Sequence, residues 1–177
     1  MAIVARRLGL LDPLREFVKF PSETESNTKP VWGTCAGLVM LAEQASATKQ
    51  GGQELVGGLD VRVLRNRYGT QMQSFVAGLN LDFLGEGEEP FRAVFIRAPI
   101  VEGVISESQG TKEGRVEVLG VYPQDGEGKG DIVAVRQGNV FGTSFHPELT
   151  DDVRIHVWWL KQVVDAVRHG ELVLNGA

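Results

Sequence analysis

The sequence is poor in cysteine: Cys35 is the single cysteine among 177 residues. One cysteine excludes an internal disulfide framework and a metal site built from several thiolates, and it fits a reducing compartment, so a cytoplasmic protein is expected. No apolar run approaches the roughly 20 residues needed to span a bilayer. The net charge of −5 offers no basic surface for nucleic acid. Neither a membrane nor a nucleic acid is therefore predicted as a partner.

The first residues also lack the features of a leader peptide. No long apolar segment precedes Asp12 and Glu16, which argues against a secretory or transit peptide. The composition is that of an ordinary globular protein, with 42% hydrophobic and 23% charged residues. The length predicts a single domain over residues 1–177 with a sizeable core.

The residues around the cysteine form a nucleophile-elbow pattern. The segment Gly33-Thr-Cys-Ala-Gly37 is G-x-S-x-G with sulfur in place of oxygen, between a predicted strand at 30–34 and a predicted helix at 36–47. The two glycines allow a sharp turn and leave room around the side chain. A helix N-terminus favours the thiolate form. A lone cysteine is also often a small buried apolar residue, and the glycines alone leave both interpretations open.

The hydrophobic pattern predicts an α/β protein. Helical spacing covers residues 3–18, with Asp12 as the N-cap of a second helix that begins at Pro13. Strand, turn and helix around the cysteine then indicate a sheet with parallel strands. Further strands are predicted at 61–65, 73–77, 93–97, 116–121, 132–136 and 140–145.

A final helix is predicted over 151–168. Asp151 and Asp152 favour its start, and Trp158 and Trp159 are expected to pack in the core rather than bind a cofactor. The polar loops at 20–30 and 124–130 are assigned no chemistry.

His146 is the candidate base for the cysteine. A nucleophilic thiol needs a base, and the base needs an acceptor that orients it. His146 follows a predicted apolar strand, at the kind of strand end where α/β active sites gather, and Glu148 lies two residues on. His156 and His169 fall on the final helix, where solvated or capping roles are expected. The His-x-Glu spacing also fits a fragment of a metal site, but no further His or Cys lies nearby in the sequence, so no metal is expected.

At this point the residues resemble a known family, the class I (triad-type) glutamine amidotransferases. The resemblance narrows to the glutaminase subunit of pyridoxal 5′-phosphate synthase. Besides the elbow, it rests on five blocks in the family's order: LLDPLREF at 10–17, RNRYG at 65–69, QSF at 73–75, FIRAP at 95–99 and GTSFHPELT at 142–150. It implies a flavodoxin-like mixed sheet flanked by helices, and it covers nearly the whole chain.

The resemblance also implies roles for particular residues. Cys35 would attack the side-chain amide of L-glutamine, His146 would move the proton and Glu148 would orient the imidazole. The glutamine-contacting positions of the family match Arg65, Ile96 and Arg97, and the backbone N–H of Ala36 matches an oxyanion donor. The ammonia would pass to a (β/α)₈-barrel synthase subunit, and no cofactor is implied for this chain.

The sequence departs from the family's pattern at its start. The opening strands of the family, and a Gly-Gly-Glu-Ser type segment that supplies the second oxyanion donor, have no counterpart in these residues. We therefore expect residues 1–177 alone to hydrolyse glutamine poorly, because one lost oxyanion donor lowers the rate by about 10²–10³-fold.

Three alternatives remain at this stage. The first is a catalytically impaired binding or regulatory subunit of the same complex. The second is an amidotransferase that feeds another acceptor, against which the blocks at 65–66 and 95–99 argue. The third is a cysteine peptidase or deglycase of related fold, for which the FHPE ending is less typical.

Overall fold

The computed structural model describes residues 2–18, 29–46, 54–65, 67, 74–85, 89–105, 115–124 and 130–175. The described helices are α1 (Ala2–Arg7), α2 (Leu11–Val18), α3 (Ala36–Leu41) and α4 (Arg154–Asn175), and 3₁₀ turns occur at Asp82–Leu84 and Pro147–Leu149. The described strands are β1 (Val31–Thr34), β2 (Ala42–Ser46), β3 (Leu59–Leu64), β4 (Ser74–Leu79), β5 (Phe91–Ile96), β6 (Ile100–Val104), β7 (Glu117–Tyr122), β8 (Asp131–Gln137) and β9 (Val140–Thr143). Most of the two predicted polar loops lies outside the described residues.

The described strands form one large mixed sheet and a separate hairpin. The sheet has the order β1-β9-β8-β6-β3-β2, and β7 pairs with β8. β1 runs parallel to β9 and β2 runs parallel to β3, whereas the other pairs of this sheet are antiparallel. β4 and β5 form the antiparallel hairpin. The mixed sheet with flanking helices confirms the predicted α/β class.

The sheet carries a core on each face. Val140 packs in the cluster that contains Leu38 of α3, whereas its neighbour Phe141 packs in the cluster that contains Trp158 and Trp159 of α4. Successive side chains of a strand point to opposite faces. The helices α3 and α4 therefore cover opposite faces of the sheet and leave the strand ends accessible.

An aromatic cluster fills the α4 face. Phe141 is fully buried, and its ring centroid lies between 5.1 and 6.1 Å from those of Trp32, Phe83, Trp158 and Trp159. Offset and tilted ring pairs at such distances are favourable beyond the area that they bury. The expectation that Trp158 and Trp159 pack in the core is confirmed.

The helix predicted over 36–47 is wrong in its second half, because α3 ends at Leu41 and the chain continues as β2. The backbone N–H groups of Val56 and Gly57 both donate to the carbonyl of Met40, at 2.7 and 3.1 Å. β2 then pairs with β3. Tertiary pairing thus overrides the helix propensity of this alanine-containing segment.

Three other predictions differ in detail. β6 was not predicted, although it pairs with β3, because its second half contains Glu102 and Gly103, which disfavour a strand. α2 begins at Leu11, so the prediction of Asp12 as its N-cap is wrong, and α4 begins at Arg154 rather than 151 and extends beyond residue 168; helix ends are the least certain part of any such prediction. The predicted role of Asp152 at the start of α4 is confirmed, because its carboxylate accepts the backbone N–H of Arg154 at 3.1 Å. None of the described helices is long and apolar enough to cross a membrane.

Candidate active site

Cys35 occupies a strained turn between β1 and α3. Its backbone has φ 48° and ψ −103°, and among the described residues only Arg97 is another non-glycine with positive φ. Such conformations cost about 1–3 kcal/mol each and persist where the surrounding structure enforces them. The nucleophile elbow predicted from the sequence is therefore present.

The two glycines of the elbow differ in whether the surrounding structure has room for a side chain. A Cβ on Gly33 would lie 2.6 Å from the backbone carbon of Gly37 and 2.6 Å from the side chain of Leu41. Gly33 is thus required for the close packing of α3 against β1. A Cβ on Gly37 would meet nothing within 4 Å among the described atoms. Gly33 is therefore the glycine that the described packing requires, whereas the space beside Gly37 is open.

The environment of the thiol favours its neutral form. Burial raises the pKa of Cys35 above its ordinary value, the N–H of Ala36 lowers it, the charge of Glu148 raises it and the charge of Arg97 lowers it. Burial is the largest of these effects because it disfavours the charged form. The N–H of Ala36 at the helix start lowers the pKa of Cys35, as the sequence predicted, but burial outweighs this effect.

His146 and Glu148 form the pair that the sequence predicted. Nδ1 of His146 lies 2.7 Å from Oε1 of Glu148, and the 3₁₀ turn at Pro147–Leu149 brings the carboxylate back to the ring. With its Nδ1 proton donated to the carboxylate, the imidazole keeps Nε2 to accept a proton from another group. Among the described residues, no group of three His, Cys, Asp or Glu side chains has the arrangement of a metal site.

Adjacent parallel strands bring the cysteine and the histidine to the same end of the sheet. Thr34 of β1 is in register with Thr143 of β9, and Cys35 and His146 follow these two positions. The N–H of Cys35 donates to the carbonyl of Thr143 at 2.7 Å. Since β1 and β9 run in the same direction, their C-terminal ends meet at one edge, where α/β sites gather.

The end of β5 completes this edge. The N–H of His146 donates to the carbonyl of Val94 at 2.8 Å, and the thiol of Cys35 lies 3.9 Å from the carbonyl of Ile96. Arg97 follows directly, with φ 45°, and its charge acts on the thiol. Two of the predicted substrate-contacting residues, Ile96 and Arg97, are thus beside the cysteine.

Arg65 reaches the same region through strand pairing. It follows Leu64, which pairs with Ile100 at the start of β6, only three positions after Arg97. Arg65 is half-buried. The topology therefore brings Arg65 and Arg97 to neighbouring strand ends, although no described contact joins their side chains.

Two anchoring residues were not identified from the sequence. Val94 and Thr143 hold the histidine and the cysteine through backbone carbonyls. Thr143 lies within the GTSFHPELT block, which could have drawn attention to it. A backbone acceptor has no signature in the side-chain sequence, however, so only the fold reveals either role.

Comparisons with known proteins agree on one family. The family model described as the SNO glutamine amidotransferase family matches residues 1–165. The chain is 44% identical over 182 residues to the "Probable pyridoxal 5′-phosphate synthase subunit PDX2" of Arabidopsis thaliana, covering 91% of this chain and 66% of the plant protein. It is 45% identical over 159 residues to the "Pyridoxal 5′-phosphate synthase subunit PdxT" of Nocardia farcinica, covering 90% of this chain and 60% of that protein.

A solved structure is also similar. The crystal structure of a glutamine amidotransferase superposes with a TM-score of 0.68 and 34% sequence identity, over 92% of this chain and 72% of that one. The chain spans less than two thirds of the length of the plant and Nocardia relatives.

Proposed function

The chain belongs to the SNO glutamine amidotransferase family, and from this premise we propose that it is a glutaminase that supplies ammonia for the synthesis of pyridoxal 5′-phosphate, the active form of vitamin B6. Residues 1–177 would act as one glutamine amidotransferase domain. The names of its relatives, which are subunits of pyridoxal 5′-phosphate synthase, support the choice of pathway.

One observation carries the proposal. A strained Cys35 directly follows β1, and the His146–Glu148 pair, joined at 2.7 Å, follows the adjacent parallel strand β9. A nucleophile on a strained turn, a base and a carboxylate that orients the base are the parts of a triad for acyl transfer.

The first half of the proposed reaction forms a thioester. Because the thiol rests in its neutral form, it has to lose its proton as it attacks, and Nε2 of His146 accepts that proton. The sulfur bonds to the side-chain amide carbon of glutamine, and the N–H of Ala36 stabilises the negative charge on the former carbonyl oxygen. The carbon–nitrogen bond then breaks, and the proton held by His146 passes to the leaving nitrogen, which departs as ammonia.

The second half of the reaction releases glutamate. His146 takes a proton from water, the hydroxide oxygen bonds to the thioester carbon, and the carbon–sulfur bond breaks. The proton returns to the sulfur, and the products are glutamate and the free thiol. Glu148 keeps the imidazole oriented in both halves, and this sequence of steps requires no cofactor or metal.

The arginines are proposed to hold the glutamine. A guanidinium binds a carboxylate through two parallel hydrogen bonds, so Arg65 and Arg97 suit the α-carboxylate of an amino acid. The carbonyl of Ile96, beside the thiol, can accept a hydrogen bond from the amide or the α-amino group. The carbonyl of Ile96 lies 3.9 Å from the thiol and Arg97 follows it in the chain, which supports binding of the side-chain amide beside Cys35.

The partner is proposed to be a (β/α)₈-barrel synthase subunit that receives the ammonia. Ammonia released to water would be protonated and lost to the synthase, which is a chemical reason for a direct transfer. The single reduced cysteine also favours a reducing compartment such as the cytoplasm, because an oxidised sulfur cannot attack an amide.

The test is a glutaminase assay with and without the synthase subunit, alongside labelling of Cys35 by a glutamine analogue that carries a diazo-ketone. The proposal predicts glutamate formation, labelling at Cys35 and loss of both in Cys35→Ala. A matched control is His169→Ala, which removes a histidine that lies towards the end of α4. This control should keep its activity.

A protein that binds the synthase but neither turns over glutamine nor reacts with the analogue would overturn the proposal. That result would instead favour a binding or regulatory subunit with impaired chemistry. Turnover without any stimulation of pyridoxal 5′-phosphate formation by the synthase would contradict the proposed partner but keep the glutaminase.

A further inference from the structure

We propose that Thr143 and Trp32 form a positioning pair that fixes the cysteine and the histidine relative to each other. The inference rests on the proposed function, because the two groups that the pair holds are the proposed nucleophile and base. Thr143 touches no substrate in this scheme and acts only through its neighbours.

Thr143 holds the cysteine through its backbone. Its carbonyl accepts the N–H of Cys35 at 2.7 Å, which is a short hydrogen bond for an N–H donor. This bond fixes the first peptide of the strained elbow to β9. Any displacement of Thr143 therefore moves the peptide that carries the nucleophile.

Thr143 holds the histidine through its side chain. The hydroxyl donates to the carbonyl of Phe145 at 3.4 Å, and that carbonyl belongs to the peptide that joins Phe145 to His146. The N–H of the same peptide donates to the carbonyl of Val94 at 2.8 Å. The peptide group between Phe145 and His146 is thus held at both of its polar atoms, with its carbonyl bound by Thr143 and its N–H bound by Val94 of β5.

Trp32 orients the hydroxyl. Its indole Nε1 donates to Oγ1 of Thr143 at 3.2 Å, so the hydroxyl accepts one hydrogen bond and donates another. Hydrogen bonds arranged in such a chain polarise and strengthen one another. The ring of Trp32 packs 5.3 Å from that of Phe141 and 5.8 Å from that of Trp159, which keeps the donor in place.

The hydroxyl is buried, which makes it hard to replace. Thr143 and Phe145 are both 0% exposed, so without the hydroxyl the carbonyl of Phe145 would lose a buried donor. The β-branched side chain of threonine also restricts its rotamer. One residue thereby connects the cysteine strand, the histidine turn and the aromatic cluster.

A neighbouring hydroxyl provides a matched control. Ser144 is as fully buried as Thr143, yet its Oγ has no hydrogen-bond partner among the described residues. Removal of this hydroxyl therefore breaks no described contact, whereas removal of the Thr143 hydroxyl breaks two. The comparison separates loss of positioning from loss of a buried polar atom.

The experiment compares Thr143→Val, Thr143→Ser, Trp32→Phe and Ser144→Ala in the full chain with its synthase partner. We expect Thr143→Val to lower kcat about 10- to 100-fold, since misplacement of reacting groups by about 1 Å has effects of this size, with KM changed less than about twofold. Trp32→Phe should show a smaller loss of the same kind. Thr143→Ser should restore most of the rate, and Ser144→Ala should leave it unchanged.

A second measurement is independent of glutamine turnover. Cys35 is the single cysteine of the chain, so the rate of its alkylation by iodoacetamide at about pH 7 reports how well the base is placed against the thiol. This rate should fall in Thr143→Val to near that of His146→Ala, while thermal unfolding shows that the variants remain folded. If the wild-type chain proves not to be a glutaminase, the alkylation rates still test the pair.

The inference is overturned if folded Thr143→Val keeps both its kcat and its alkylation rate. It is also overturned if Ser144→Ala loses as much rate as Thr143→Val, because the effect would then follow from general packing. If Thr143→Val fails to fold, Trp32→Phe tests the pair instead. This variant keeps an aromatic ring in the cluster and removes the indole N–H donor. Wild-type rates in that variant would contradict the pair.

Discussion

Two regions of the molecule contrast in backbone strain and burial. One is the edge of the sheet that carries the candidate site, and the other is the aromatic cluster on the α4 face. At the edge, Cys35 and Arg97 adopt positive φ, and Glu148 has a side chain that is 50% exposed. In the cluster, Phe141 is fully buried in an unstrained strand between other aromatic rings. The two regions meet at Trp32, whose ring belongs to the cluster and whose indole N–H reaches Thr143.

The difference shows where the molecule accepts strain and where it gains stability. A strained turn is favourable only if the surrounding structure holds it, and the cluster lies directly behind the strands that end in the site. We infer that apolar packing offsets the unfavourable backbone at the edge. Relief of backbone strain at the edge should therefore raise stability, whereas loss of apolar packing in the cluster should lower it.

The largest effect is expected in the cluster. Phe141→Ala should lower the free energy of unfolding by about 3–5 kcal/mol, the usual range for a buried aromatic residue replaced by alanine. Urea-induced unfolding measures this change. The control is Leu160→Ala on α4, whose side chain is 60% exposed and whose loss should change stability by less than about 0.5 kcal/mol. Equal losses for the two variants would refute the importance of the cluster.

The two glycines of the elbow give the next largest contrast. Gly33→Ala should destabilise the fold by about 1–3 kcal/mol, because its Cβ would overlap the backbone of Gly37, and overpacking has costs of this size. Gly37→Ala should be neutral or stabilising by up to about 1 kcal/mol, since alanine favours a helix and the site is open. Thermal unfolding of both variants is the measurement. A more harmful Gly37→Ala would contradict the described packing.

Removal of the strain should stabilise the protein while it abolishes the chemistry. Cys35→Gly should raise the free energy of unfolding by about 1 kcal/mol relative to Cys35→Ala, because glycine accepts positive φ at little energetic cost. Both variants lack the sulfur and should have no glutaminase activity. The comparison between them isolates the backbone from the loss of the thiol, and an equal or lower stability of Cys35→Gly would argue that the elbow is not strained.

The smallest effect is expected at Asp152, which lies between the two regions at the start of α4. The guanidinium of Arg154, 2.6 Å away, holds the pKa of Asp152 below its ordinary value. The carboxylate therefore contributes stability that is complete above a pH of about 4 and is lost as the pH falls below that value. Asp152→Ala should lower stability at neutral pH by about 0.5–1 kcal/mol.

The pH dependence provides the check on this assignment. The difference in unfolding free energy between the wild type and Asp152→Ala should shrink as the pH is lowered towards 2. A difference that stays constant over this range would show that the contribution of Asp152 to stability does not depend on its charge.

The elements predicted well from the sequence are those with a local cause. The elbow at Cys35 follows from Gly33 and from the apolar strand before the cysteine, and the start of α4 follows from Asp152. His146 and Glu148 were identified because a strand, a proline and a carboxylate stand next to each other in the sequence.

The elements that were missed depend on distant partners. β2 directly follows α3 within the segment 36–47, which was predicted to be one helix. Only the pairing of β2 with β3 decides that the second half is a strand. The carbonyl of Val94 that accepts the N–H of His146 likewise belongs to a residue far away in the sequence. The neutral thiol of Cys35 reflects burial, which a sequence pattern does not measure.

The pairing of β1 with β9 has a consequence for how the protein comes into being. Trp32 and Thr143, which the pairing brings together, are 111 positions apart in the sequence, so this contact closes one of the longest loops in the chain and is among the slowest kinds to form. A nascent chain that has not yet delivered β9 holds Cys35 without His146 beside it. The proposed chemistry would therefore require the completed sheet, and the newly synthesised chain would remain inactive until it has folded.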